Sequence, residues 1–176
     1  MSSEDCNTLL AYARRCIKAA TERETVPPLQ NPSQNLLSIK ATFVTIRTEG
    51  VLRGCIGQIE ATSPLWISTK EMSIAAACKD TRFTPLHPGE PFQIEISILS
   101  KPEPISKENV IVGKHGLIVE VSNKRGVLLP HVASEYGWDK NTFIEQTIRK
   151  ADLPQNIITS SKFVLKAFQT YLVTEF

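Results

Sequence analysis

The sequence predicts an α+β fold, with antiparallel β-hairpins and a sheet packed with about three main helices. Three observations carry that prediction. Residues 42–46 and 51–59 are rich in β-branched side chains and flank Thr48-Glu49-Gly50, while residues 116–121 and 126–129 flank residues 122–125 in the same way. Such spacing joins neighbouring strands through turns rather than through helical crossovers. Residues 92–98 (Phe-Gln-Ile-Glu-Ile-Ser-Ile) alternate apolar and polar side chains, as a strand with one wet face does and a buried parallel strand does not. Finally, the helical segments fall between the hairpins without a repeating βαβ plan.

Taken in order, Ser2 and Ser3 precede a stretch in which Leu9, Leu10, Ala13, Cys16, Ile17 and Ala20 recur at helical spacing, giving an amphipathic first helix. Pro27, Pro28 and Pro32 cannot continue it, because proline lacks an amide donor, so an extended connector follows. The first hairpin comes next, with Gly50 supplying the positive φ of its turn. Ser63 as N-cap and Pro64 at the first helical position start a second helix that runs to about Lys79. After the alternating strand, residues 101–104 (Lys-Pro-Glu-Pro) break the chain ahead of the second hairpin. Residues 131–136 form a short helix and residues 141–151 a third full one, with Phe143, Ile144 and Ile148 on one side. The run 162–173 is rich in strand formers and returns the C-terminus to a sheet. No internal repeat or boundary divides the chain, so residues 1–176 read as one domain.

The composition of 176 residues, 41% hydrophobic and 22% charged, is that of a globular protein and excludes disorder, collagen and coiled coil. A formal charge of +2 is too balanced to announce a nucleic-acid or membrane-surface protein. The longest apolar stretches fall far short of the roughly 20 residues of a membrane span. Cys6, Cys16, Cys55 and Cys78 form no C-x-x-C pair and no basic-then-apolar leader opens the chain, so free thiols in the cytoplasm are expected. With three histidines, no H-E-x-x-H and no paired cysteines, no metal site is expected; no Walker, dinucleotide or G-x-S-x-G signature calls for a cofactor.

Two glycines bracket a cysteine in Leu52-Arg53-Gly54-Cys55-Ile56-Gly57, inside an apparent strand. Strand glycines mark a bulge or a close approach. A side-chain period of two puts Arg53 on the face of Cys55, where a guanidinium favours the thiolate and makes the sulfur reactive; the alternative is a buried cysteine acting as a small hydrophobe. Arg53 either binds an anionic substrate through its forked donors or bridges to a neighbouring acid. Asp80 and Arg82, after the second helix, either orient a carboxylate or thiol at a cleft or close a loop as a helix-end salt link. Gly113-Lys114-His115-Gly116 is a G-x-x-G loop, but it lies between extended segments rather than helices, which argues against backbone clamping of nucleic acid. His115 is a candidate acid or base, or else a loop histidine bonded to backbone. His131 and Glu135, four apart, suit an oriented pair or a surface ion pair.

The hexapeptide at residues 52–57 resembles the hallmark of the AMMECR1 family. The resemblance continues in order through Pro64-Leu65, Ala75-Ala76, residues 80–86 (Asp-Thr-Arg-Phe-Thr-Pro-Leu), 96–99, 113–119, 128–130, 132–138 and Lys150-Ala151, covering the chain from about Thr8 to Val173. Three positions depart from the family pattern: Thr81 stands where proline is usual, His131 where glutamine is, and Asp152 where glycine is. The resemblance implies an α+β fold with a larger and a smaller subdomain and a cleft near the hexapeptide. It also implies a task shared with a Memo-like protein and a radical S-adenosylmethionine enzyme, but no established reaction.

Two functions follow. In one, a site for a small molecule uses Cys55 as nucleophile or redox thiol and His115 for protons, with Arg53, Asp80, Arg82 and Glu135 as substrate-binding candidates. In the other, a noncatalytic adaptor presents a surface to partner proteins and the hexapeptide is structural. Nucleic-acid binding through Lys114, Lys124 and Arg125 is a weaker third reading.

Overall fold

The computed structural model describes residues 1–175, which form five α-helices and two four-stranded antiparallel sheets, an α+β fold. Helix α1 (Ser3–Thr21) starts at a capping box: Ser2 Oγ accepts the Asp5 N–H while the Asp5 carboxylate accepts the Ser2 N–H. Its buried stripe of Leu9, Leu10, Ala13, Cys16 and Ile17 is the expected one, with Ala19 rather than Ala20 as its last buried member. The proline-rich connector carries one turn of helix, α2 (Gln34–Leu37), capped by Ser33.

Strands β1 (Thr42–Thr48) and β2 (Val51–Gly57) form the first hairpin, and its turn takes positive φ at both Glu49 and Gly50. Helix α3 (Leu65–Cys78) begins one residue later than the sequence predicts. Pro64 is itself the N-cap, and the Ser63 hydroxyl is buried with no hydrogen-bond partner instead of capping the helix. Strand β3 (Gln93–Leu99) pairs with β1 and buries Ile94, Ile96 and Ile98 as the alternation requires, but its other face is not the wet one expected: Ser97 and Leu99 are buried as well, Glu95 is half-buried and only Gln93 is exposed.

In the second sheet, β4 (Glu103–Pro104) precedes the hairpin of β5 (Gly116–Val121) and β6 (Lys124–Leu128). Its turn is the pair Ser122–Asn123, so Lys124 and Arg125, expected in the turn, lie in β6. Two helices follow, α4 (Pro130–Glu135) and α5 (Lys140–Lys150), the latter capped by Asp139. The C-terminal run is two strands, not one: β7 (Val164–Phe168) belongs to the second sheet and β8 (Thr170–Thr174) to the first, with Gln169 between them.

The chain forms two compact units. Residues 1–99 and 171–175 make the first, whose sheet runs β2-β1-β3-β8; residues 100–170 make the second, ordered β4-β7-β5-β6. In the first, Val44, Ile46, Ile94 and Ile96 pack with Leu9, Ile17 and Leu65. In the second, Leu117 and Val119 pack with Phe143, Ile144 and Ile148. No described helix is long and apolar enough to cross a membrane.

Candidate functional site

The hexapeptide occupies β2, an edge strand whose two faces differ. Gly54, Ile46 and Ile94 form one row across β2-β1-β3, and Ile56, Val44 and Ile96 the next, on the core side. Gly54 belongs there because a Cβ at that position would collide with the carbonyl oxygen of Ala76 in α3, so the strand can lie against the helix only without one. The other face carries the rows Cys55-Thr45-Glu95 and Gly57-Phe43-Ser97. Phe43 lies across Gly57, where a Cβ would meet its ring.

Edge strands expose unpaired backbone groups. At Cys55 both are claimed by the loop that follows α3. Asp80 Oδ2 accepts the Cys55 N–H at 2.9 Å, and Arg82 Nη2 donates to the Cys55 carbonyl at 3.2 Å. The two side chains also pair with each other, Nη2 to Oδ2 at 2.7 Å and Nε to Oδ1 at 2.9 Å. Asp80 is almost fully buried, and the bonds it receives from Arg82 hold its carboxyl well below the usual carboxylate range. The loop turns through Asp80, Thr81, Arg82 and Phe83, closed by the Phe83 N–H on the Asp80 carbonyl and the Arg82 N–H on Oδ1.

Cys55 is half-buried, and Thr45 Oγ1 donates to its sulfur at 3.3 Å. Burial pushes the thiol up from its ordinary value; the Thr45 hydroxyl and the Arg82 charge pull it down, and the Asp80 and Glu95 charges push it up. Burial prevails, so Cys55 rests as a neutral thiol at neutral pH. The cation acting on it is Arg82, not Arg53 as the period-two argument holds. Arg53 reaches along the strand edge instead, Nε to Glu90 Oε1 at 2.6 Å, Nη2 to Oε2 at 3.2 Å, and Nη1 to the Thr84 carbonyl at 2.7 Å. It therefore bridges to a neighbouring acid and fastens the loop.

The structure thus brings Cys55, Asp80 and Arg82 together and adds Thr45 and Glu95, which sequence reasoning missed. His115 and Glu135 belong to the second unit. His115 Nδ1 accepts the Ile111 N–H at 3.1 Å, so any ring proton of the neutral form sits on Nε2, and burial together with Lys114 lowers its pKa. The segment before it, residues 110–112, is loop rather than strand. Glu135 and His131 are both exposed on α4. Among the described residues, no group of three or more His, Cys, Asp or Glu is placed to hold a metal ion.

This architecture recurs in a solved structure, an uncharacterized protein of Pyrococcus horikoshii, with a TM-score of 0.89 and 31% identity, covering 98% of this chain and 92% of that one. The AMMECR1 family model matches residues 10–173. The chain belongs to the AMMECR1 family. It is 42% identical over 162 residues to a protein of Aquifex aeolicus, 86% of this chain and 83% of that one, and 35% identical over 196 aligned positions to one of Thermofilum pendens, 99% and 92%. Thr81 takes the second position of the Asp80–Phe83 turn, a place proline favours; the hydrogen bonds of Asp80 close the turn without one. Asp152 sits at φ 53°, in the left-handed position that follows α5 and that glycine takes most readily.

Proposed function

We propose that this AMMECR1 chain carries a small-molecule site around residues 52–57 in which Cys55 is the reactive thiol. The observation that carries this reading is the clustering of Thr45, Asp80, Arg82 and Glu95 about one half-buried sulfur, on the sheet face away from the core. In the free protein at neutral pH the sulfur is protonated, so there the nucleophile forms only when a ligand or partner brings a base or strengthens the local positive field. Asp80 is unsuited to be that base, since its carboxylate is held ionised by Arg82. Arg82 is more than half exposed, and its Nη1 has no partner among the described residues, leaving one cationic donor for an anionic ligand group. The reading includes work alongside a Memo-like protein and a radical S-adenosylmethionine enzyme, and a cytoplasmic home, which the family resemblance supports.

A second reading, the noncatalytic adaptor, draws support from the packing of Gly54 on α3 and of Gly57 under Phe43, which gives the hexapeptide structural work. Alkylation of Cys55 by iodoacetamide against pH separates the two, in a chain with Cys6, Cys16 and Cys78 replaced. The site reading expects reaction in the native state with an apparent pKa above that of an ordinary thiol, raised further by Arg82→Ala and by Thr45→Val. A Cys55 that stays silent until the protein unfolds favours the adaptor.

A further inference from the structure

Helix α4 ends in a left-handed turn at Gly137, φ 62°. The Trp138 N–H bonds the Ala133 carbonyl at 2.8 Å and the Gly137 N–H bonds that of Ser134 at 3.2 Å, the paired bonds of a Schellman cap. The turn brings the rings of Tyr136 and Trp138 together, stacked with centroids 4.9 Å apart and planes 16° from parallel. Trp138 is partly packed into the core of the second unit, whereas Tyr136 is 69% exposed. The pair lines a concave site of about 530 Å³, together with Leu128, Val132 and three side chains of α5: Gln146, Arg149 and Lys150. The α5 residues follow i, i+3, i+4 spacing and so share one stripe of that helix. Among the described residues none of the three has a hydrogen-bond or ion-pair partner, and no carboxylate lines the site.

We propose that this groove binds a mononucleotide, or a ligand of the same chemistry: a planar heteroaromatic ring carrying a phosphate. Its volume falls within the range of small-molecule sites, and its lining is mainly apolar with a few convergent polar groups. A flat, exposed aromatic surface takes any base through its π face. Two unpaired cations on one side give the site a single sign of charge, which selects an anion, and an arginine fork suits phosphate oxygens. Gln146 offers a carboxamide, both donor and acceptor, to the edge of the ring. Every lining residue belongs to the second unit, so this site stands or falls apart from the Cys55 reading.

Calorimetric titration of the full chain with AMP, GMP, CMP and UMP at low salt tests it. The expected result is saturable one-to-one binding of at least one of them. Tyr136→Ala should weaken it about tenfold, and Arg149→Ala with Lys150→Ala should weaken it and remove most of its salt dependence. All three positions are exposed, so an unchanged melting temperature certifies the fold of each variant. Three results overturn the proposal: no saturable binding of any of the four, binding indifferent to Tyr136→Ala, or inorganic phosphate binding as well as the nucleotides. A single-stranded oligonucleotide that binds far more tightly, with a salt slope of several phosphates, overturns it in favour of a strand.

Discussion

Replacing Gly54 with alanine tests whether the hexapeptide is shaped by packing. The added Cβ would collide with the Ala76 carbonyl oxygen, which belongs to the backbone of α3 and cannot swing aside as a side chain can. Either α3 shifts off the sheet, loosening its contacts with Ile56 and Val44, or β2 moves outward and strains the bonds from Cys55 to Asp80 and Arg82. Overpacking of this kind costs about 1–3 kcal/mol, and a fixed obstacle puts Gly54→Ala at about 2–3 kcal/mol. In a chain of this length that lowers the melting temperature by about 4–12 °C. Gly57→Ala is the comparison: its Cβ meets the ring of Phe43, which is half-buried and can turn outward, for about 1 kcal/mol. Thermal melts followed by circular dichroism give both values. If Gly54→Ala melts with the parent, or Gly57→Ala proves the more damaging, the close approach of strand and helix is not what requires the glycine.

Asp5, through Ser33 and Asn35, and Asp80, through Arg82, both have carboxyls held well below their ordinary value. A carboxyl lowered in the folded state lends stability that is complete above its unfolded value of about 3.9 and is lost as the pH falls below it. Melting temperatures should therefore drop on acidification, and Asp80→Asn should start lower at neutral pH and show a shallower acid limb; parallel limbs would mean that the Asp80 charge lends no stability. At the end of α5, Asp152→Gly should raise stability by about 1 kcal/mol by relieving the left-handed backbone, while Asp152→Ala should not. The ion pair lost with Asp152 is of little weight, since that side chain is 98% exposed. Equal melting of the two variants would place the effect in the side chain instead.

Periodicity made α1, the first hairpin, the alternation of β3 and the apolar face of α5 legible, because each presents a single apolar face to a core. The division between β7 and β8 was not. Residues 162–173 contain neither glycine nor proline, and the chain changes sheets at Gln169 by backbone pairing alone. The site was half legible. Family motifs marked Cys55, Asp80 and Arg82, and a bridge to an acid was one of the two readings of Arg53, but the cation beside the sulfur is Arg82 and not Arg53. Counting back from the two-residue turn at Glu49-Gly50, Thr48 faces Val51 and Arg47 faces Leu52, which would set Thr45 opposite Gly54. A bulge leaves Arg53 as an extra residue and brings Thr45 opposite Cys55 instead. That single irregularity sends Arg53 toward Glu90 and gives the sulfur its hydroxyl donor; the strand glycines announce a bulge or a close approach without fixing the residue at which the bulge falls.

Strand β8, bonded beside β3, follows residues 100–169 in the chain. On the ribosome, β1, β2 and β3 emerge well before it, and the β3 edge waits uncovered while the second unit is synthesised. Arg14 waits as well, because its partner Glu175, which also accepts the Ile94 N–H, comes after the second unit in the chain. The first unit is begun early and fastened late, and a nascent chain stalled before Tyr171 would show its open β3 edge to whatever strand lies near.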